Sequence, residues 1–152
     1  MKVLIVMIDI KNGRITFCDI SLQLSPKYLK NNFQNEFPEN RVVRSRDMGN
    51  GYIWYDIKEQ IYKNDNSIRI SICFNPEGFL EHIKLFPQSY GDPTSSWSDW
   101  TPLQMQEDKK LCDEWLKRFC KLKSEKNYFN WGTIYSYFDI KSGCSGIGIN
   151  YI

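Results

Sequence analysis

The chain has 152 residues, 41% of them hydrophobic and 25% charged, the size and balance of one folded domain with a core of its own. Twenty lysines and arginines against eighteen acids leave a net charge of +2, which excludes a chain-wide field strong enough to hold nucleic acid or an anionic membrane. Aromatic residues reach 15%, enough for a core of large side chains or a surface built for contact.

The five cysteines, Cys18, Cys73, Cys112, Cys120 and Cys144, are odd in number and widely spaced, with no C-x-x-C. That pattern fits neither a disulfide framework nor a zinc site, so buried reduced thiols in a cytoplasmic protein are expected, with no metal and no cofactor. Val3 to Ile8 is apolar but Asp9 ends it. Six residues are too few for a signal-peptide core or a membrane span, and the run reads as a first buried strand.

In chain order, Val3 to Ile10 and Arg14 to Leu24 flank Lys11-Asn12-Gly13 and form a hairpin, since Asn-Gly supplies the positive φ of a tight turn. Ser25-Pro26 opens a short predicted helix to about Gln34, with Pro at its first position and Phe33 four residues after Leu29. A meander follows: a strand from Arg41 to Arg46, a turn at Met48-Gly49-Asn50-Gly51, a strand from Tyr52 to Ile57, and a turn at Asn64-Asp65-Asn66. Ile68, Ile70, Ile72 and Phe74 then alternate with Ser67, Arg69, Ser71 and Cys73, the period of a strand with one buried face. Asn75-Pro76-Glu77-Gly78 turns the chain into a strand from Phe79 to Phe86.

Residues 87–101 read as a loop. Thr101-Pro102-Leu103-Gln104 is a capping box that starts a helix to about Lys121. Leu111, Trp115, Phe119 and Leu122 form its apolar stripe, widened by Cys112, Leu116 and Cys120. Asp113–Lys117 and Glu114–Arg118 are spaced as i,i+4 pairs on its polar side. Trp131 to Asp139 and Cys144 to Ile152 close the chain as two strands. The last carries Ile147, Ile149 and Tyr151 on one face. Gly146, Gly148 and Asn150 lie on the other, where glycines imply close approach by another element. The whole reads as one α+β domain over residues 1–152: a curved, mainly antiparallel sheet of about seven strands, with one short and one long helix on one face.

No catalytic constellation is legible. His82, the lone histidine, lies between Glu81 and Ile83, both assigned to the core side, and so is expected to point outward, without a motif that supplies it a nucleophile. Cys144 has only Lys141 nearby to lower its pKa. There is no phosphate loop, H-E-x-x-H or G-x-S-x-G. Arg41, Arg44 and Arg46, near Tyr52, Trp54 and Tyr55, could make a nucleic-acid platform, but a charged strand edge that discourages sheet association is the plainer expectation at this net charge. The loop offers the sharper site. Tyr90 and Trp97 are side chains of the kind enriched at interfaces, and Asp92 and Asp99 beside them would steer a basic partner; these four are the expected contacts for a protein partner, unless Trp97 and Trp100 instead staple the long helix onto the sheet as core aromatics.

Ser96-Trp97-Ser98-Asp99-Trp100, the helix with Asp113-Glu114-Trp115-Leu116, Trp131-Gly132-Thr133-Ile134, Ser136-Tyr137-Phe138-Asp139 and Lys141-Ser142-Gly143 together resemble a group of small uncharacterised bacterial cytoplasmic proteins. In size and style these are similar to immunity proteins, and the resemblance implies a domain that binds and neutralises a toxin; it carries no site residues across. The leading expectation is therefore a non-enzymatic protein-binding domain, an immunity-type inhibitor. The alternative is a small enzyme or ligand-binding domain with a pocket between the sheet and the long helix.

Overall fold

A computed structural model describes residues 6–17, 20–62, 66–89, 102–122, 124–139 and 144–152, and among these residues ten strands and two α-helices form. β1 (Val6–Asp9), β2 (Arg14–Phe17) and β3 (Leu22–Leu24) make a small antiparallel sheet. β4 (Val42–Asp47), β5 (Ile53–Tyr62), β6 (Asn66–Phe74), β7 (Leu80–Ser89), β8 (Lys126–Phe129), β9 (Gly132–Asp139) and β10 (Cys144–Tyr151) make a seven-stranded one in the order β4-β5-β6-β7-β10-β9-β8. The α+β class, the antiparallel large sheet and its seven strands are as expected. The C-terminal strand enters between β7 and β9, which makes β10 an interior strand of the sheet.

One face of the large sheet is the core. Ile68, Ile70, Ile72 and Phe74 of β6 point into it, beside Ile83 and Leu85 of β7, Ile147 and Ile149 of β10, and Ile134 of β9. Three elements bury their apolar sides against this face: the small sheet through Ile15, Phe17, Leu22 and Leu24; α1 (Lys30–Glu36) through Phe33; and α2 (Pro102–Trp115) with the π-helical turn that extends it (Leu116–Cys120), through Cys112, Trp115, Leu116 and Cys120. α2 lies against β7, β9 and β10. The extra residue of the π turn ends at Lys121, whose φ of 57° closes the helix.

The hairpin turn forms at this place, but as a loop of residues 10–13 between the paired Asp9 and Arg14, in which Gly13 takes positive φ (76°) and Asn12 does not. Trp131 packs against Gly13 and donates its indole N–H to the Ile10 carbonyl (2.7 Å), while the Tyr151 hydroxyl donates to the Gly13 carbonyl (2.6 Å). The small sheet is thereby pinned to the C-terminal strands. The turn at Asn75 forms as read: the Asn75 carboxamide accepts from the N–H groups of Glu77 and Phe79, and Gly78 takes φ 86°.

Four local expectations are corrected. The segment from Arg14 to Leu24 is two strands, because the chain reverses between Phe17 and Leu22 and pairs back on itself. α1 begins at Lys30 rather than Pro26. Lys27 sits at φ 64° in a turn closed by the Tyr28 N–H on the Ser25 carbonyl, and Leu29 bridges Phe79, so pairing with the β6–β7 turn captures the residues that local capping would have given to the helix. β8 was not anticipated; Asn127 and Phe129 face the core side, but its four residues are too few for a periodic signal. Asp113 is drawn to Lys109 and Ser136, where Lys117 was the expected partner.

Candidate functional site

The other face of the large sheet carries the chemistry. Strand register writes its side chains in rows. One runs Arg46, Trp54, Cys73, His82, Asn150, Thr133; the next runs Arg44, Asp56, Ser71, Lys84, Gly148, Tyr135; a third holds Arg69, Phe86, Gly146 and Tyr137. Among the described residues, no helix or strand lies over these rows. Arg44, Arg46, Trp54, Asp56, Arg69 and Lys84 contribute to the lining of an open trough of about 1040 Å³ on this face.

Its floor is organised by Asp56. One carboxylate oxygen accepts from Arg44 (3.0 Å), the other from Arg46 and from the Ser71 hydroxyl (2.8 Å each). Partial burial pushes the Asp56 pKa up, but these three donors outweigh it and hold the carboxyl below its ordinary range. The aromatics beneath are occupied by cations. Lys84 Nζ lies 5.3 Å from the Trp54 ring centroid and 5.6 Å from that of Tyr137; Arg46 stands 5.6 Å from Trp54, and Arg69 5.4 Å from Phe86. Gly146 and Gly148 make room for Tyr137 and Tyr135, whose rings lie across β10 where a Cβ would stand. The inference of close approach at those glycines therefore holds.

The face also aligns Cys73, His82 and Asn150 on three neighbouring strands, residue types that can form an activated thiol. The geometry does not activate this one. His82 Nδ1 meets Asn150 Oδ1 at 2.7 Å, but Nε2 is engaged by Glu81 at 2.9 Å. Cys73 is 1% exposed, and burial followed by the Glu81 charge pushes its thiol up to about 11. His82 points outward as expected, yet it is half-buried and stacked on Trp54 (6.2 Å, 11° between planes). Glu81 is not on the core side: it is the extra residue of a β-bulge, where Cys73 pairs with His82 and Phe74 with Leu80, so two consecutive residues escape the alternation.

A second polar cluster ties α2 to the sheet. Lys109 Nζ meets Asp113 (2.9 Å), Ser136 (3.0 Å) and Glu125 (3.2 Å), and the Ser136 hydroxyl donates to Asp113. Burial opposes the charge on Lys109, but Asp113 and Glu125 outweigh it and raise the pKa, so the amine stays protonated and cannot serve Ser136 as a base. The hollow beside it, about 320 Å³, lies at the margin of α2 against Phe138. The space between α2 and the sheet is filled by Cys112, Trp115 and Leu116.

Of the expected site residues, Tyr90, Asp92, Trp97 and Asp99 lie outside the described residues. The arginine cluster is placed: Arg44 and Arg46 share a face on β4, an edge strand of the large sheet. What sequence reading missed is that Arg69, Lys84, Phe86, Tyr135 and Tyr137 join them. The available signal was the non-core half of each alternating strand, where cations and aromatics stand in place of small polar residues.

No family model matches the sequence, and no curated protein does. Among solved structures, one chain of "Rhs1-CT in complex with cognate immunity protein RhsI1" is similar, with a TM-score of 0.61 over 97% of this chain and 87% of that one, at 12% identity. At that identity the likeness is one of fold. This chain shares its architecture with a component of a toxin–immunity complex.

Proposed function

We propose that this chain is a protein-binding domain of the immunity type, which engages a bacterial toxin domain and blocks it. The observation that carries the reading is the outer face of the seven-stranded sheet, over which no described helix or strand lies. A sheet normally buries both faces or wets one with small polar residues. Here Trp54, Phe86, Tyr135 and Tyr137 stand among arginines on a face that no described element covers, and Trp, Tyr, Phe and Arg are the residues enriched at protein interfaces. The likeness to a component of a toxin–immunity complex, over nearly the whole chain, supports the same reading. Inhibition of this kind needs no catalytic group, only a surface that occludes the partner's site. Tyr90, Asp92, Trp97 and Asp99 are proposed as a second contact, and a cytoplasmic location goes with the reading.

Capturing the partner from the native host by pull-down, and co-expressing it in a test strain if it is toxic, tests the proposal. Restored growth and a stable complex on gel filtration are the expected results. A toxin that stays lethal and forms no complex would refute the proposal. Within such a complex, Trp97→Ala should weaken binding by at least about 2 kcal/mol, the level of an interface hot spot, if the proposed second contact is real.

A further inference from the structure

We infer that the trough on the outer face of the large sheet receives an acidic segment of the partner protein, with Arg69 and Lys84 as the cations that bind its carboxylates. This rests on the protein-binding reading and names the chemistry of the partner.

The first argument is charge. Four cations, Arg44, Arg46, Arg69 and Lys84, line the trough against a single described carboxylate, Asp56. Asp56 is already engaged by Arg44 and Arg46. Arg69 and Lys84 make no carboxylate contact among the described residues; each rests on an aromatic ring instead. The rings help hold these two cations in place, and their N–H donors have no carboxylate partner among the described residues. An arginine already fixed by stacking loses less freedom when it takes a carboxylate in its planar fork.

The second argument separates an acidic protein from a nucleic acid, which also seeks cations and aromatics. Binding a single strand needs free ring faces on which bases stack. Trp54 is packed against His82, Lys84 and Arg46, and Phe86 is packed against Arg69. Asp56 in the floor repels a phosphate and a carboxylate alike, so the distinction rests on the ring faces, which cations and His82 already occupy. The balanced overall charge of +2 points the same way: attraction is confined to this trough.

The experiment uses the full chain and three probes: a short poly-glutamate peptide, a poly-glutamine peptide of equal length, and a single-stranded RNA of similar length. Binding is followed by NMR. Poly-glutamate should shift the Trp54 indole and the Arg69 and Lys84 signals, with an affinity that falls steeply from about 0.05 to about 0.3 M salt as screening shortens. Arg69→Gln with Lys84→Gln should weaken it about five- to tenfold, the effect of removing two partly exposed charges, while the melting temperature holds. Equal binding of poly-glutamine, shifts elsewhere, or tighter binding of RNA would overturn the inference, the last in favour of a nucleic-acid surface. The two proposals fail separately. A toxin complex that forms but ignores the double variant and the salt removes the trough and keeps the protein-binding reading; poly-glutamate bound at the trough without any toxin complex does the reverse.

Discussion

Replacing Asp56 by asparagine should destabilise the fold while making the trough a better acceptor of acidic ligands. The side chain keeps its shape and one oxygen, so the change is mainly one of charge. Arg44, 64% exposed, contributes at the level of a surface ion pair, below about 1 kcal/mol. Arg46 and Ser71 are better shielded, and each loses the difference between a bond to a charged acceptor and one to a neutral acceptor, about 1 kcal/mol apiece. The expected cost is about 2 kcal/mol near pH 7, or about 4–8 °C in Tm for a chain of this length. The sign of the pH dependence is fixed by linkage. A carboxyl held below its ordinary value of 3.8 contributes stability that is complete above that value and is lost as pH falls through the folded-state pKa. Wild type and Asp56→Asn should therefore differ by a constant amount at neutral pH and converge as pH drops below 3.8, where the native carboxyl becomes neutral as well. Urea titrations of both proteins at a series of pH values measure this. A difference under about 0.5 kcal/mol at neutral pH, or one that persists unchanged into strong acid, would show that Asp56 does not organise the trough floor. With its one described negative charge gone, the trough should bind poly-glutamate more tightly than wild type does.

Trp115→Ala should cost about 3–5 kcal/mol in urea or thermal unfolding, because the side chain is 4% exposed at the centre of the α2 stripe; a cost under about 1 kcal/mol would contradict that burial. Gly132→Ala should destabilise by about 3 kcal/mol or more, since its φ of 155° and the backbone carbonyl of Asn150 leave no room for a Cβ; Gly148→Ala should cost about 1 kcal/mol, because the obstruction there is the far end of Tyr135, which can swing into solvent, and comparing the two melts checks the order. Cys73, Cys112 and Cys120, all buried and pushed up to about 11, 12 and 12 by desolvation first of all, should react with a thiol reagent only as the protein unfolds; rapid modification in the folded state would place at least one in a different environment.

Much of the scaffold is local and was legible in the sequence. The isoleucines of β6 alternate because a half-buried strand must; the Cys112–Trp115–Leu116 stripe follows from helical period; Asn12-Gly13 and Asn75 to Gly78 carry their own turn chemistry; and Gly146 and Gly148 announce the rings that cross them. Each depends on neighbours within a few residues. The pairing of distant strands does not. Nothing local tells β10 to enter between β7 and β9, yet that insertion sets Asn150 against His82 and Gly148 beside Lys84. Leu29 left the predicted helix because Phe79 offered it a partner, and Glu81 left its expected face because one bulge shifted the register. The trough is of the second kind. Arg44, Asp56, Ser71 and Lys84 are separated by 12, 15 and 13 positions in sequence and become neighbours only through the register of four strands, which long-range burial of the opposite face selects.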